Sequence, residues 1–394
     1  MNILVEGWRG INHSYALVNQ WQVKELIKLS NVYFKDIPYF NENWSSEKND
    51  SGLNKKVKNI VNSIQPPLKD IEYDVTYRIS APFNFNPKFN SKVLFVFGST
   101  EYRDIHEKNY INGKPNLLCK EERFFIHTPS NWSKKGFQEL GFREDQIIII
   151  PHGIDLDTFD LISLEEKKNI RNKYKVKDDD FILTNISAMF TNKGVENLIA
   201  AYGILKKKNK NLKLILKDQS NLYNIKANAI LKRVFDSNFN QKYNIFNDEM
   251  FNDIIILSKN LSFNELHEIY SITDCYVSPY TAEGFNLTPL EAAACGTQII
   301  VTNKGSTDDY FDECMGFKIE SEERKAGNRY FLYPKIDSLI EILSNTINKP
   351  DDKKLTRSKF VRKNFSWEKV VKKLKKEFEK KLSKWNKKLW KKLI

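Results

Sequence analysis

Short runs of aliphatic and aromatic residues recur along the chain, and stretches with apolar residues every three or four positions follow them. In the first half, Asn2–Gly7, Val32–Phe34, Asp74–Ile79, Val93–Phe97, Phe124–Ile126 and Gln146–Ile150 have the composition of strands. Helical patterns occupy His13–Leu29 and Ser130–Leu140. In the second half, Phe181–Ile186, Leu212–Leu216, Asp253–Leu257, Cys275–Ser278 and Gln298–Thr302 repeat the rhythm. Helices are expected there near Gly194–Lys207, Ser262–Ser271 and Pro289–Cys295. Continuous apolar strands alternating with helices predict parallel sheets covered on both faces. Two such blocks predict an α/β chain of two doubly wound, Rossmann-like domains. The expected divisions are 1–155, 156–364 and a basic amphipathic helix, 365–394, whose first part crosses back to the first domain. Asn221–Asp253 is polar and weakly patterned, and reads as an insertion.

Composition narrows the picture. A length of 394 residues exceeds one ordinary core. Aliphatic runs reach only four residues, at Ile147–Ile150 and Ile254–Leu257, too short to span a bilayer. The start, "MNILVEGWRG", lacks a basic-then-apolar leader. Cys119, Cys275, Cys295 and Cys314 have neither paired spacing nor a histidine cluster beside them, and read as reduced thiols in a cytoplasmic protein. The net charge of +13 is carried entirely by the last 44 residues, with eighteen Lys and Arg against five Asp and Glu. A basic tail on a neutral body gives no basis for a nucleic-acid partner.

Candidate chemistry concentrates in Glu283-Gly-Phe-Asn-Leu-Thr-Pro-Leu-Glu291, between a strand pattern ending at Pro279 and a small-residue helix closing at Gly296. In open α/β sheets ligands gather at strand carboxyl ends, where helix amino termini favour an anion such as a diphosphate. Gly284 permits a tight turn, Thr288-Pro289 opens the helix, and Glu283 projects from the loop. Glu291 has two readings. It closes a capping box from Thr288, with proline at the first helical position, or it serves a ligand. A carboxylate at Glu283 gains nothing structural from a glycine turn.

From Asn185 to Thr307 these residues resemble the retaining GT-B glycosyltransferases of family four, glycosyl transferases group 1. That family has a Lys-Gly pair at a helix start and an E-G-F-G-L-x-x-x-E loop, which here read Asn192-Lys193-Gly194 and Glu283 to Glu291. "IIPHGIDLDTF" is similar to the family's crossover between domains, "TPSNWSKKGF" to the segment before it and "NFSWEKVVKKL" to its closing helix. The resemblance implies two domains facing across a cleft, and transfer of a sugar from a nucleoside diphosphate to a glycan or lipid-linked acceptor. Glu283 would contact donor-sugar hydroxyls and Glu291 the ribose. The N–H groups of Asn286, Leu287 and Thr288 would hold the diphosphate, with Gly284 and Phe285 in the same donor loop. Lys193 would neutralise charge growing on the leaving group. No metal or other cofactor is implied, since a lysine and a helix end take the cation's place.

The sequence departs from the family where an arginine usually stands five residues before the lysine; here that residue is Ala188. Lys217, ending a strand pattern, and Arg9 are the candidate replacements. The gap also leaves open a silent module that binds nucleotide or glycan without turnover. Where members offer a histidine towards the donor sugar, "FVFGSTEYRD" has only Ser99, Thr100 and Glu101. In the first domain the Gly7-Trp-Arg-Gly10 loop makes Arg9, Gly10 and His13 candidates for acceptor contact, while His127 and His152 read as packed core residues. Asp155-Leu-Asp157 looks like a metal-binding D-x-D, but its place at the domain junction favours a hinge. The final "SKWNKKLWKKLI" mixes Trp, Leu and Lys without acid, and is expected to be an interfacial helix on an anionic membrane. The protein is therefore expected in the cytoplasm, peripheral at the inner face of a membrane.

Overall fold

The computed structural model of the chain describes residues 1–238, 240, 248–347 and 349–393. They form two compact units, one of Met1–Gly153 with the chain from Phe365 onward, the other of Ile154–Asn364.

The first unit is built on β1 (Asn2–Gly7), β2 (Asn31–Asp36), β3 (Tyr73–Ile79), β4 (Ser91–Phe97), β5 (Phe124–Thr128) and β6 (Ile147–Ile149). They pair in the order β2-β1-β3-β4-β5-β6, all parallel. Consecutive residues Val93, Leu94, Phe95, Val96 and Phe97 of β4 are all buried, as a strand covered on both faces requires, whereas β1 buries alternate residues, Ile3, Val5 and Gly7. Helices α1 (Ser14–Leu26), α2 (Lys55–Asn62) and α3 (Asn131–Glu139) follow strands of this sheet.

The remaining cover comes from the far end of the chain. The last helix of this unit runs unbroken over Trp367–Leu393. Its Val370, Val371, Leu374 and Phe378 have no exposure, and the Phe378 ring lies 4.5 Å from that of Phe95. His127 is pinned between the Tyr77 hydroxyl at 2.9 Å and the Ile150 carbonyl at 3.1 Å. His152 lies among the rings of Phe97 and Trp367. Burial lowers the two imidazoles to about 4 and about 3, so both are neutral packing residues. The basic end of the helix is not separate from this packing. Lys381 donates to the Asp145 carbonyl at 2.7 Å, Arg123 lies over the Trp385 ring and Lys388 pairs with Glu122. Leu389 and Trp390, 39% and 68% exposed, stay outside it.

The second unit has β7 (Phe181–Ile186), β8 (Leu212–Lys217), β9 (Ile254–Leu257), β10 (Cys275–Ser278), β11 (Gln298–Thr302) and β12 (Gly316–Ile319). Their order, β9-β8-β7-β10-β11-β12, is parallel throughout and reverses direction between β7 and β10. That reversal is a topological switch point, and it locates the ligand crevice at the carboxyl ends of β7 and β10. A separate antiparallel pair, β13 (Ser321–Ala326) and β14 (Arg329–Pro334), follows the sheet.

Helices α4 (Leu164–Lys173), α5 (Val195–Lys206), α6 (Ala227–Phe235), α7 (Phe263–Ile272), α8 (Leu287–Ala294), α9 (Ile336–Thr346) and α10 (Lys354–Asn364) complete the unit, so the helix ending the chain is α11. The stretch expected to be an insertion contributes α6, whose Ala227, Ile230, Leu231 and Val234 are buried in the main core. Their i, i+3, i+4, i+7 spacing is helical, but the polar residues around them dilute it in a short window. Residues 239 and 241–247 of that stretch lie outside the described residues. Among the described residues no helix is long and apolar enough to cross a membrane.

Candidate active site

At the switch point two loops are stitched together. The turn Thr191–Lys193 leads from β7 into α5 and ends at Gly194, whose φ is +64°. A Cβ at Gly194 would stand 2.0 Å from the Pro279 carbonyl oxygen, so glycine is what allows this loop to approach the end of β10. Thr281 N–H donates to the Asn192 carbonyl at 2.7 Å, and the Asn192 amide donates to the Ala282 carbonyl at 2.9 Å. These contacts bring Lys193 Nζ to 2.8 Å from Glu283 Oε1, with both side chains 13% exposed. The structure thus joins the two residues the sequence singles out for catalysis, across 90 positions of chain.

The loop's turn is made at Asn286, not at Gly284. Asn286 has φ +67° and is the N-cap of α8, whose first residue is Leu287. Asparagine enters the left-handed region more readily than other residues with a side chain. Its amide donates to Ser278 Oγ at 2.9 Å, and its carbonyl accepts from the Tyr310 hydroxyl at 2.7 Å. Phe285 packs its ring 5.2 Å from that of Tyr310. The amino end of α8, where a helix leaves its first N–H groups without intrahelical acceptors and its dipole is positive, follows Glu283 in the same loop.

Starting the helix at Leu287 also removes the expected capping box. Thr288 sits inside the first turn, with its hydroxyl 2.7 Å from that of Tyr276. Glu291 falls in the second turn and accepts from the Tyr270 hydroxyl at 2.8 Å. Desolvation pushes the Glu291 carboxyl up to about 8; the Tyr270 bond opposes this and the charge of Asp155 adds to it. The carboxyl is then largely protonated at neutral pH. Asn192 and the three tyrosines were missed in the sequence: Asn192 is visible only as the residue before the Lys-Gly pair, and the tyrosines look like ordinary strand and helix aromatics.

The other candidates are distributed differently. Lys217 ends β8 beside Ser187, whose N–H donates to its carbonyl at 3.1 Å. Its ammonium is buried against the Asp218 carbonyl, and burial lowers it to about 8. Arg9, in the first unit, forks onto Asp36 at 2.8 and 2.6 Å and donates to the Val61 carbonyl. Gly10, at φ +89°, donates to Gln20 Oε1. His13 caps α1, its Nδ1 accepting from Tyr15 N–H at 3.1 Å, and desolvation lowers it to about 4. Arg9 and His13 thus each do structural work within their own unit.

Ser99 N–H donates to the Tyr15 hydroxyl, the Thr100 hydroxyl to the Ser133 carbonyl, and the Trp132 indole to the Glu101 carbonyl. Asp155 accepts from the Thr158 hydroxyl at 2.5 Å and from Asp157 N–H, so the D-x-D stretch folds as a local turn. Among the described residues no group of three or more His, Cys, Asp or Glu is placed to hold a metal. A cavity of about 600 Å³ opens at the other, amino-terminal edge of the second sheet, by Lys167, Phe181, Asp274 and Gln298.

Two parallel Rossmann-like sheets, each flanked by helices, define the class: a chain of the GT-B glycosyltransferase fold. Residues 166–332 match the family model of glycosyl transferases group 1. The chain is 25% identical over 193 residues to a D-inositol 3-phosphate glycosyltransferase of Paenarthrobacter aurescens, covering 49% of this chain and 43% of the relative. It is 27% identical over 292 residues to an uncharacterized glycosyltransferase of Methanocaldococcus jannaschii, covering 72% and 65%. The matches therefore span roughly half to two thirds of those relatives' own length. Among solved structures, a Rickettsia africae glycosyltransferase superposes with a TM-score of 0.66 at 16% identity, covering 97% of this chain and 98% of the other. Anabaena HepE in complex with UDP-glucose superposes at 0.65 with 15% identity, covering 96% and 100%.

Proposed function

We propose that the protein is a retaining, family-four-type glycosyltransferase moving a sugar from a nucleoside-diphosphate sugar to a glycan or lipid-linked acceptor. The observation that carries this reading is the Lys193–Glu283 pair held at the amino end of α8. A diphosphate seated on the N–H groups of Asn286, Leu287 and Thr288 would compete with Glu283 for the Lys193 ammonium. The freed carboxylate would then accept from hydroxyls of the donor sugar. As the bond between the anomeric carbon and the phosphate oxygen breaks, negative charge grows on the departing diphosphate, where Lys193 and the helix dipole stabilise it. Glu291, neutral and anchored by Tyr270, would hydrogen-bond the ribose. Lys217 is the replacement for the absent arginine at Ala188 that lies in the same unit as Lys193. The chemistry needs no metal in this scheme. HepE, crystallised with UDP-glucose, supports the donor class by likeness of fold.

A thermal-shift panel of UDP, GDP and ADP tests the reading directly. At least one should raise the melting temperature, and the corresponding nucleotide sugar should release free nucleotide on turnover. Binding without release favours the silent module; no shift with any of the three sinks the donor site.

The acceptor side of the reading includes an anionic membrane surface. Supporting it, the last dozen residues hold five lysines and no acid, and Leu389 and Trp390 are exposed at the end of α11. Each basic residue near an anionic surface contributes about 1 kcal/mol. A peripheral position at a membrane carrying lipid-linked acceptors follows from this proposal.

A further inference from the structure

We propose that the β13–β14 hairpin is a glycan-binding platform that takes sugar rings of the acceptor; this rests on the transferase reading. A lone two-stranded hairpin is marginally stable in water, so its anchorage indicates where it is meant to stand. The anchor is Leu332, fully buried, with its side chain against Gly305 and its N–H donating to the Thr281 carbonyl at 2.7 Å. Thr281 is two residues before Glu283, so the same short stretch carries the hairpin and the candidate sugar-contacting carboxylate.

Alternation along β14 then decides what the other face offers. With Leu332 turned inward, Phe331 and Tyr333 turn outward, and their ring centroids lie 6.3 Å apart. Across the ladder, Arg324 pairs with Phe331 and Glu322 with Tyr333. The Arg324 guanidinium lies 4.7 Å from the Tyr333 centroid and 2.7 Å from Glu322. One face of the hairpin therefore combines two aromatic rings with a guanidinium and a carboxylate, and Tyr333 is 41% exposed. A pyranose has an apolar C–H face that stacks on a ring, and an edge of hydroxyls that donate to a carboxylate and accept from a guanidinium. Between Glu320 and Lys335 three glutamates stand against four Arg and Lys, so the charge is nearly balanced. That composition suits hydroxyl recognition, not a polyanion or a bilayer.

The test uses the full chain, labelled, on an array of defined neutral and uronic-acid-bearing oligosaccharides, with the UDP, GDP and ADP melting shifts measured on the same preparations. The parent should bind a subset of glycans, and the double variant Phe331→Ala, Tyr333→Ala should lose at least about ten-fold in that binding while keeping its nucleotide shift. Leu332 is left in place so that the anchor survives, and Phe331→Tyr should retain binding. A parent that binds no glycan, or a double variant that binds like the parent, overturns the platform. A parent with no nucleotide shift overturns the transferase reading and the acceptor role with it, whatever the array shows.

Discussion

Replacing Glu291 by glutamine isolates the cost of burying a carboxyl. Glutamine keeps the shape of the protonated acid and the oxygen that accepts from Tyr270 at 2.8 Å, but it cannot ionise. In the parent the folded carboxyl titrates near 8 against an ordinary 4.5. Between those values the folded state holds a proton that the unfolded state has lost, so the parent's stability falls as pH rises. At 1.36 kcal/mol per pH unit the full interval is worth about 5 kcal/mol, of which about 4 accumulates between pH 5 and 9. This is a ceiling, because local relaxation lets water reach an ionised group. Urea unfolding of parent and variant at half-unit steps from pH 5 to 9 measures it. The glutamine variant should gain steadily on the parent, with the steepest divergence between pH 5 and 8. Parallel curves across that range would refute the burial argument, and with it the neutral Glu291 used for ribose contact.

Lys193→Ala should depress kcat by about 10²–10³ while the chain still melts cooperatively, read in a nucleotide-release assay; parental turnover would remove the lysine from the chemistry. Asn286→Ala should cost about 1–2 kcal/mol in urea unfolding, because alanine resists the left-handed backbone, whereas Asn286→Gly should cost less. Equal losses would mean that the amide bond to Ser278, not the backbone, sets the cost. Gly194→Ala combines a positive φ with a clash against the Pro279 carbonyl, and should lower the melting temperature by several degrees; an unchanged melt would show that the loop can retreat from β10. A chain ending at Leu382 should lose co-sedimentation with anionic vesicles that the full chain shows, and equal binding by both would remove the membrane role of α11.

Much of this protein is legible in one dimension because local patterns carry it. Strands apolar on both faces, as at Val93–Phe97 and Phe181–Ile186, have few alternatives to a parallel sheet covered by helices, so the two doubly wound units follow from alternation alone. Glycine in Lys193-Gly194 and the carboxylates of the donor loop mark a site because glycine and charge at strand ends are costly unless used. What the sequence could not supply was decided at distance. The end of α8 that became its cap depended on Asn286 taking a left-handed backbone, which turned a plausible capping box into a buried carboxyl bonded to Tyr270. Lys193 and Glu283 meet because Asn192, Thr281 and Ala282 tie together the loops that leave two neighbouring strands, β7 and β10, an adjacency across about 90 positions that no linear pattern displays. Arg9, a free cation on paper, is held by Asp36, which lies 27 residues away in the chain and on the neighbouring strand. The physical reason is common to all three: periodicity records which face of an element is buried, but a side chain's partner, and so its charge and its use, is set by what the fold brings against that face.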